Sequence, residues 1–328
     1  MMRRWLVYLS ILLCIAACAG GGALNSLRSL KIRMQGEYYL NKHAHAKGID
    51  RFKRYETQYP NLSVVDYYLG RFYLSENKVD NGLLHLNQAV RLAPKEADYY
   101  FWRGVAEAAH GNPRAERENY LKALSLDPKQ IKAWTYLGHN QLEARQYSAA
   151  LTSYDKALKL YALNPQAMFN RALCLEILGR QHEAVNAWKA YLTQFHNSAQ
   201  AASAVDHLNQ YGDFEFRSYQ IGKRRLAMPQ IRFRSNQTIA SQSKENLNEV
   251  GRVIHGNPEL TLHVVVFQHH DATLAKRKAL AIKHYLLEHD HTLALQRIQA
   301  SWFDSQPRIT AGDKGFALEA AVLLFTLK

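Results

Sequence analysis

Cysteine is scarce in this chain, with three among 328 residues, at positions 14, 18 and 174. Only Cys174 stands outside the apolar N-terminal stretch, and a single thiol cannot close an internal disulfide. It falls on the apolar side of a predicted helix, which makes it a packing residue. Acidic side chains are also in deficit: 28 Asp and Glu against 42 Lys and Arg leave a formal charge of +14. The chain lacks a glycine-rich phosphate loop, an activated-nucleophile signature and paired carboxylates at a useful spacing, so neither an enzyme nor a cofactor is expected. The histidine groups His269-His270 and His289-Asp290-His291 do not form a closed set of metal ligands. Neighbours on a strand point to opposite faces, and the second group lies at a helix end. What is abundant is apolar: 47% of residues are hydrophobic and 11% aromatic, enough for two ordinary domains with cores of their own.

The N-terminus, "MMRRWLVYLSILLCIAAC", places Arg3 and Arg4 before an apolar run from Trp5 to Ile15, then small residues up to Cys18. This is the pattern of a secretory signal, too short for a spanning helix with its own stop-transfer flank. Ile15-Ala16-Ala17-Cys18 also resembles the lipobox of bacterial lipoproteins, which implies that residues 1–18 carry the signal and that Cys18 takes the lipid. An ordinary signal cleaved after Ala19 is the alternative. Residues 19–28, opening "AGGG", read as a flexible tether. Neither Ala19 nor Gly20 is acidic, and the resemblance then implies an outer-membrane anchor with the body facing the periplasm. In a cytoplasmic protein the positive charge would suggest nucleic acid. In an exported one no nucleic-acid partner is expected, and basic stretches such as "GKRRLAMP" read as wet faces.

Self-comparison gives a sharper signal. Gly36, Gly70, Gly104, Gly138 and Ala172 recur every 34 residues, Pro60, Pro94 and Pro128 keep the same interval, and so do Ala89, Ala123 and Ala157. In "IKAWTYLGHNQLEARQYSAALTSYDKALKL" one helical face carries Trp134, Leu137 and Leu142, and the facing one Tyr147, Ala150, Tyr154, Ala157 and Leu158. The beat and these residues resemble the tetratricopeptide repeat (TPR) family. Five units follow, at 29–62, 63–96, 97–130, 131–164 and 165–198, with a closing helix over 199–210 inside a helical region ending at 212. Because the fourth proline slips to Pro165, the second helix of that unit is expected to run on about one turn.

The family's groove implies a protein-binding face. On the first helices it would be lined by Arg33 and Glu37, Tyr67 and Arg71, Phe101 and Val105, Thr135 and His139, and Phe169 and Leu173. These suit a mixed apolar and polar protein segment. The same rings also suit a narrow interior that they fill themselves, and both readings stay open. The Lys and Asn set with which some members grip a terminal carboxylate is absent.

Beyond residue 212 the beat stops. Residues 213–230 show no clear pattern, and from Ile231 the order is strand, helix, strand, helix, strand. The first helix is expected to open on a serine cap, Ser241 or Ser243, and to close at Gly256. Such alternation gives an α/β sandwich with helices on one sheet face. The stretches "IRFRSNQTI", "LNEVGRVIHGNPELTLHVVV", "LAKRKALAIKHYL" and "RIQASWFDSQP" make residues 213–328 similar to the OmpA-like domain of envelope proteins. That family holds peptidoglycan by an acid after the central strand and an arginine in the next helix. The resemblance assigns these roles to Asp271, or His270 in its place, and to Arg277 or Lys278. The loop is shorter than usual, and lysine offers a point charge where arginine offers a fork. A fold kept as a docking surface is the rival reading.

The expected architecture is therefore an α-helical repeat region followed by a small α/β sandwich. The expected function is a non-enzymatic outer-membrane lipoprotein scaffold that binds an envelope protein, with peptidoglycan as a further partner. The alternatives are a wall anchor with the repeats as spacer, and an adaptor that positions a cell-wall enzyme.

Overall fold

The computed structural model describes residues 26–327 apart from 236, 291 and 292. The signal, Cys18 and most of the tether lie outside the described residues. The chain forms two compact units that divide between Leu160 and Tyr161.

The first unit consists of helix pairs: α1 (26–41) with α2 (His45–Gln58), α3 (Ser63–Ser75) with α4 (Val79–Leu92), α5 (Ala97–His110) with α6 (Pro113–Leu126), and α7 (Ile131–Glu143) with α8 (Tyr147–Leu160). Within each later pair the helices pack on each other, and α2, α4 and α6 pack on the first helix of the following pair. Two features keep the 34-residue interval without being evident in the sequence. His43, Asn77, Gly111 and Arg145, one in each hairpin turn, all have positive φ, at 50°, 57°, 86° and 59°. The left-handed residue reverses the chain whatever its side chain, and only Gly111 adopts it without steric cost.

The second feature is the side chain that fills each hairpin. Phe52, Leu86, Tyr120 and Tyr154 occupy equivalent places on the second helices and are fully buried. A Cβ added to Gly104 would lie 2.5 Å from Tyr120 Cε1, and one added to Gly138 would lie 2.6 Å from Tyr154 Cε1. The glycine is thus the seat of the ring. The first pair departs from this rule, because Gly36 faces Tyr68 of the next hairpin rather than Phe52.

The second unit opens with α9 (Pro165–Ile177), α10 (Gln181–Phe195) and α11 (Ala201–Gln210). The interval continues in Gly179, with φ of 72°, and in the fully buried Trp188. The expected lengthening of α8 is not found: it has 14 residues, as α4 and α6 do. Pro165 sits in the first turn of α9, where its missing N–H removes no helical bond, and Asn164 caps that helix by accepting from Ala167 N at 3.2 Å. Glu176 of α9 joins the three helices, accepting from Trp188 Nε1 at 2.9 Å and pairing with His207 Nδ1 at 3.0 Å.

The sheet that follows has the order β2-β1-β7-β3-β4, from β1 (Phe216–Ile221), β2 (Arg224–Pro229), β3 (Thr261–Gln268), β4 (Ile298–Phe303) and β7 (Ala320–Leu327). β3 pairs parallel with β4 and antiparallel with β7. Between β3 and β4 comes α13 (Ala272–His289); α12 (Ser241–His255) precedes β3, and β5 (Arg308–Ala311) and β6 (Lys314–Ala317) form a separate hairpin. Leu247, Val250 and Ile254 of α12 and Ala279, Ile282 and Leu286 of α13 share one core with Val264, Val266 and Leu324 of the sheet.

Four expectations change here. Residues 213–230, which carried no clear pattern, hold the β1–β2 hairpin, while the strand expected at Ile231 is only an isolated bridge, Phe233 to Ile239. Neither serine caps α12: Ser243 Oγ accepts from Arg232 N at 2.8 Å and Ser241 Oγ from Arg234 Nη2 at 2.7 Å. Helices do not keep to one face, since α11 also packs on β1 and β2. Phe216 and Ala227, which alternate away from the shared core, are accordingly buried. Finally, β4 lies within "RIQASWF", and Arg297 before it donates to Ile254 O at 2.6 Å and Asn257 O at 2.7 Å, closing the end of α12.

Candidate functional site

The first-helix face of the first unit brings some of the expected groove residues together and removes others from reach. Tyr67 and Phe101 are 3% and 2% exposed, and Thr135 returns its hydroxyl to Ile131 O at 3.0 Å. In the second unit Phe169 is 9% exposed, edge-on to Trp188 at 4.9 Å and to Tyr191 at 5.4 Å. Of the two readings for these rings, the geometry supports the one in which they fill the interior. Phe101 packs on Tyr120 of α6 with centroids 5.8 Å apart, and Phe169 on Trp188 of α10, so each helps to cover a second-helix ring.

The polar part of the face centres on Arg71, whose side chain is 13% exposed. Its Nη1 donates to Glu37 Oε1 at 2.7 Å and to Tyr67 OH at 3.1 Å. Its guanidinium lies 4.5 Å from the Trp102 ring centroid and 5.2 and 5.4 Å from those of Tyr67 and Tyr68. Tyr67 in turn stacks on Tyr99, with centroids 4.7 Å apart. Burial alone would raise the Glu37 carboxyl, but hydrogen bonds from Tyr68 and Arg71 outweigh it and hold the group below its ordinary range. Burial pushes the Tyr67 hydroxyl well up, so it remains a neutral donor and acceptor. Arg33 joins the rim by donating to Glu96 Oε2 at 3.3 Å. Trp102, Tyr99 and Tyr68 escaped the sequence reading because they fall beside the two helical positions assigned to a groove. The run "YYFW" at 99–102 was the available signal.

Further along, Val105 and His139 are half-buried at places equivalent to Arg71. The His139 ring packs between Tyr136 and Tyr154, at 5.5 and 5.7 Å, and burial lowers its pKa below the ordinary value of 6.5.

In the second unit, the residues expected to grip peptidoglycan do not form a charge pair. Asp271 is the N-cap of α13, and its Oδ1 accepts from Leu274 N at 2.8 Å. Lys278 Nζ donates to Gln268 Oε1 at 2.7 Å and lies 5.4 Å from the centroid of the Phe233 ring. Burial lowers the Lys278 pKa, against an opposing pull from Asp271. The cavity it lines, with Tyr219, Gln230, Phe233 and Phe267, has a volume of about 70 Å³, room for a few water molecules. Arg277 points to solvent. His270 has a φ of 60° and its ring rests against that of His269, with centroids 3.6 Å apart. Asp271 thus serves the helix as its cap.

Two outcomes follow. Tyr67→Ala and Phe101→Ala should each lower stability by about 3–5 kcal/mol, as truncation of buried rings does, rather than leave folding intact; thermal unfolding followed by circular dichroism measures it. His139 contributes stability that is fully present above its ordinary value, where the imidazole is neutral in both states, and is lost as pH falls through its depressed folded value. Wild-type stability should therefore fall more steeply below about pH 6.5 than that of His139→Phe, and matching pH profiles would contradict the assignment.

Three comparisons with known proteins bear on this geometry. The family model described as Tetratricopeptide repeat matches residues 67–131 and 137–204. The chain is similar to the Hsp70-Hsp90 organizing protein of Triticum aestivum, 23% identical over 43% of this chain and 26% of that protein. It is also similar to Tetratricopeptide repeat protein 6 of Homo sapiens, 30% identical over 28% of this chain and 18% of that one. The chain thus spans about a quarter or less of the length of these relatives. Among solved structures it is similar to MamA, at 21% identity and a TM-score of 0.46 over 50% of this chain and 96% of that one. It is likewise similar to YrrB, described as a TPR protein with an unusual peptide-binding site, at 17% identity and a TM-score of 0.44 over 63% of this chain and 93% of that one. The helical hairpins form TPR-like repeats, with the family model matched over 67–131 and 137–204, and are followed by a small mixed-sheet domain.

Proposed function

We propose that this chain is a non-enzymatic scaffold held by a lipid on Cys18 in the outer membrane of a bacterium, with its repeats capturing a partner protein in the periplasm. The observation that carries the reading is the Arg71 guanidinium, fixed between Glu37 and three aromatic rings at the rim of the first-helix face. An arginine whose rotamer is already set loses little entropy on binding, and arginine among aromatic rings is the composition in which interface energy concentrates. The partner segment would supply carbonyl or carboxylate oxygen to Arg71 and an apolar side chain toward Val105. What supports the envelope location is the N-terminal sequence; no helix among the described residues is long and apolar enough to cross a membrane.

The second unit supports the docking reading over the peptidoglycan one, because the acid required by a wall pocket is used as a helix cap. A divergent OmpA-like domain that contacts another subunit fits the α12 and α13 layer on its sheet.

Fractionation of cells separates these parts. Wild type should sediment with the outer membrane and incorporate labelled fatty acid, and Cys18→Ser should do neither. Retention of label by Cys18→Ser would remove the anchor from the account. A photo-activated cross-linker at Val105 should give one discrete adduct in cells that Arg71→Ala weakens severalfold, and an adduct indifferent to Arg71 would dismiss the face. Purified sacculi should bind wild type and the Asp271→Ala, Lys278→Ala double variant equally; selective loss in the variant would restore the wall-binding pocket.

A further inference from the structure

Away from the first-helix face, three successive helices place Glu56 of α2, Asp66 of α3 and His85 of α4 around one point. Asp66 is buried at 4% exposure, and its Oδ1 lies 3.0 Å from His85 Nδ1; Glu56 Oε1 lies 3.6 Å from the same nitrogen. One ligand atom from each of the three residues falls within 4.8 Å of the other two. The imidazole is held parallel to the Tyr73 ring, with centroids 5.4 Å apart and planes 10° apart, so its Nδ1 is aimed rather than free to turn.

Charge makes the cluster unusual. Two carboxylates share the site, one of them buried, and among the described residues no lysine or arginine pairs with either. The same three side chains turn one imidazole nitrogen and two carboxylate oxygens toward one point, and a cation there would meet both acids at once. We infer that Glu56, Asp66 and His85 form a binding site for a divalent transition metal, with zinc the best match. One imidazole nitrogen and two carboxylate oxygens are a zinc ligand set, with a fourth position left to water or to a partner's side chain. Zinc bonds of about 2.0–2.2 Å in a tetrahedron separate ligand atoms by roughly 3.3–3.5 Å. The two distances at Nδ1, 3.0 and 3.6 Å, bracket that edge. Glu56 is the exposed member, with a side chain 41% exposed, and lies on the route by which an ion would enter. The ion would clamp α2, the second helix of the irregular first hairpin, to α3 and α4.

The test uses the full-length protein stripped of metal by a chelator and titrated with zinc chloride near neutral pH by calorimetry. One equivalent should bind more tightly than any other and raise the unfolding temperature. Glu56→Gln and His85→Gln should each weaken it by more than the roughly 10–100-fold that loss of a ligand's supporting contact costs. Glu56 is surface-accessible, so its variant should keep the wild-type circular dichroism spectrum and remain informative if the other unfolds. Cobalt should occupy the same site with the visible absorbance of a four-coordinate ion. Absence of tight binding, or tight binding unchanged in a folded Glu56→Gln and in a folded His85→Gln, would overturn the inference. The latter result would assign the zinc to other histidines, such as His269 and His270.

Discussion

The repeat region depends on one steric interlock: a large side chain of α4, α6 and α8 seated in the hollow that a glycine leaves on α3, α5 and α7. Gly104 with Tyr120 and Gly138 with Tyr154 show it most plainly, since even one methyl group at the glycine would overlap the ring. The interlock sets how closely the two helices approach, and close approach is what allows α3 and α4, α5 and α6, or α7 and α8 to bury a shared seam. Once those distances are fixed, the next helix can pack against the pair, and the exposed residues of the first helices fall in rows.

Much of this was legible because the constraint repeats. A residue that must be small, placed every 34 positions, announces itself in the sequence, and the hairpin boundaries follow from it to within a few residues. The large partner was harder to read. Phe52, Leu86, Tyr120, Tyr154 and Trp188 are all large and fully buried, but four residue types fill the five places. The same holds for the turns, where His43, Asn77 and Arg145 take a conformation that glycine would have advertised. The expected groove was legible only in part for a related reason. Helical spacing tells which residues share a face but not how deeply that face is covered, and Tyr67 and Phe101 lie one turn too deep to meet a partner. In the second unit, β3, α13 and β7 carry strong patterns and were read correctly. The β1–β2 hairpin was not, because β1 begins with two consecutive buried residues and β2 with two consecutive exposed arginines, which removes the alternation that identifies a strand.

Polar side chains follow the same division between structural and available. Asp271, Lys278, Ser241 and Ser243 all have partners within the second unit, and each was first assigned a different task from sequence. Arg71 and the cluster of Glu56, Asp66 and His85 differ from these. Arg71 is held by its neighbours while keeping an open edge, and the carboxylate pair exceeds the charge its own neighbours supply. Both lie on the packing of α1 to α5, and a face or a site there is positioned to the extent that the hairpins beneath it are rigid.

A double-mutant cycle at one hairpin tests the interlock most directly. With Tyr154 present, Gly138→Ala should destabilise the protein, because the cost of overpacking, about 1–3 kcal/mol, exceeds the roughly 1 kcal/mol that alanine gains over glycine in a helix. In a Tyr154→Ala background the ring is gone, and the same substitution should become stabilising. Equal effects of Gly138→Ala in the two backgrounds, measured by denaturant unfolding, would contradict the account.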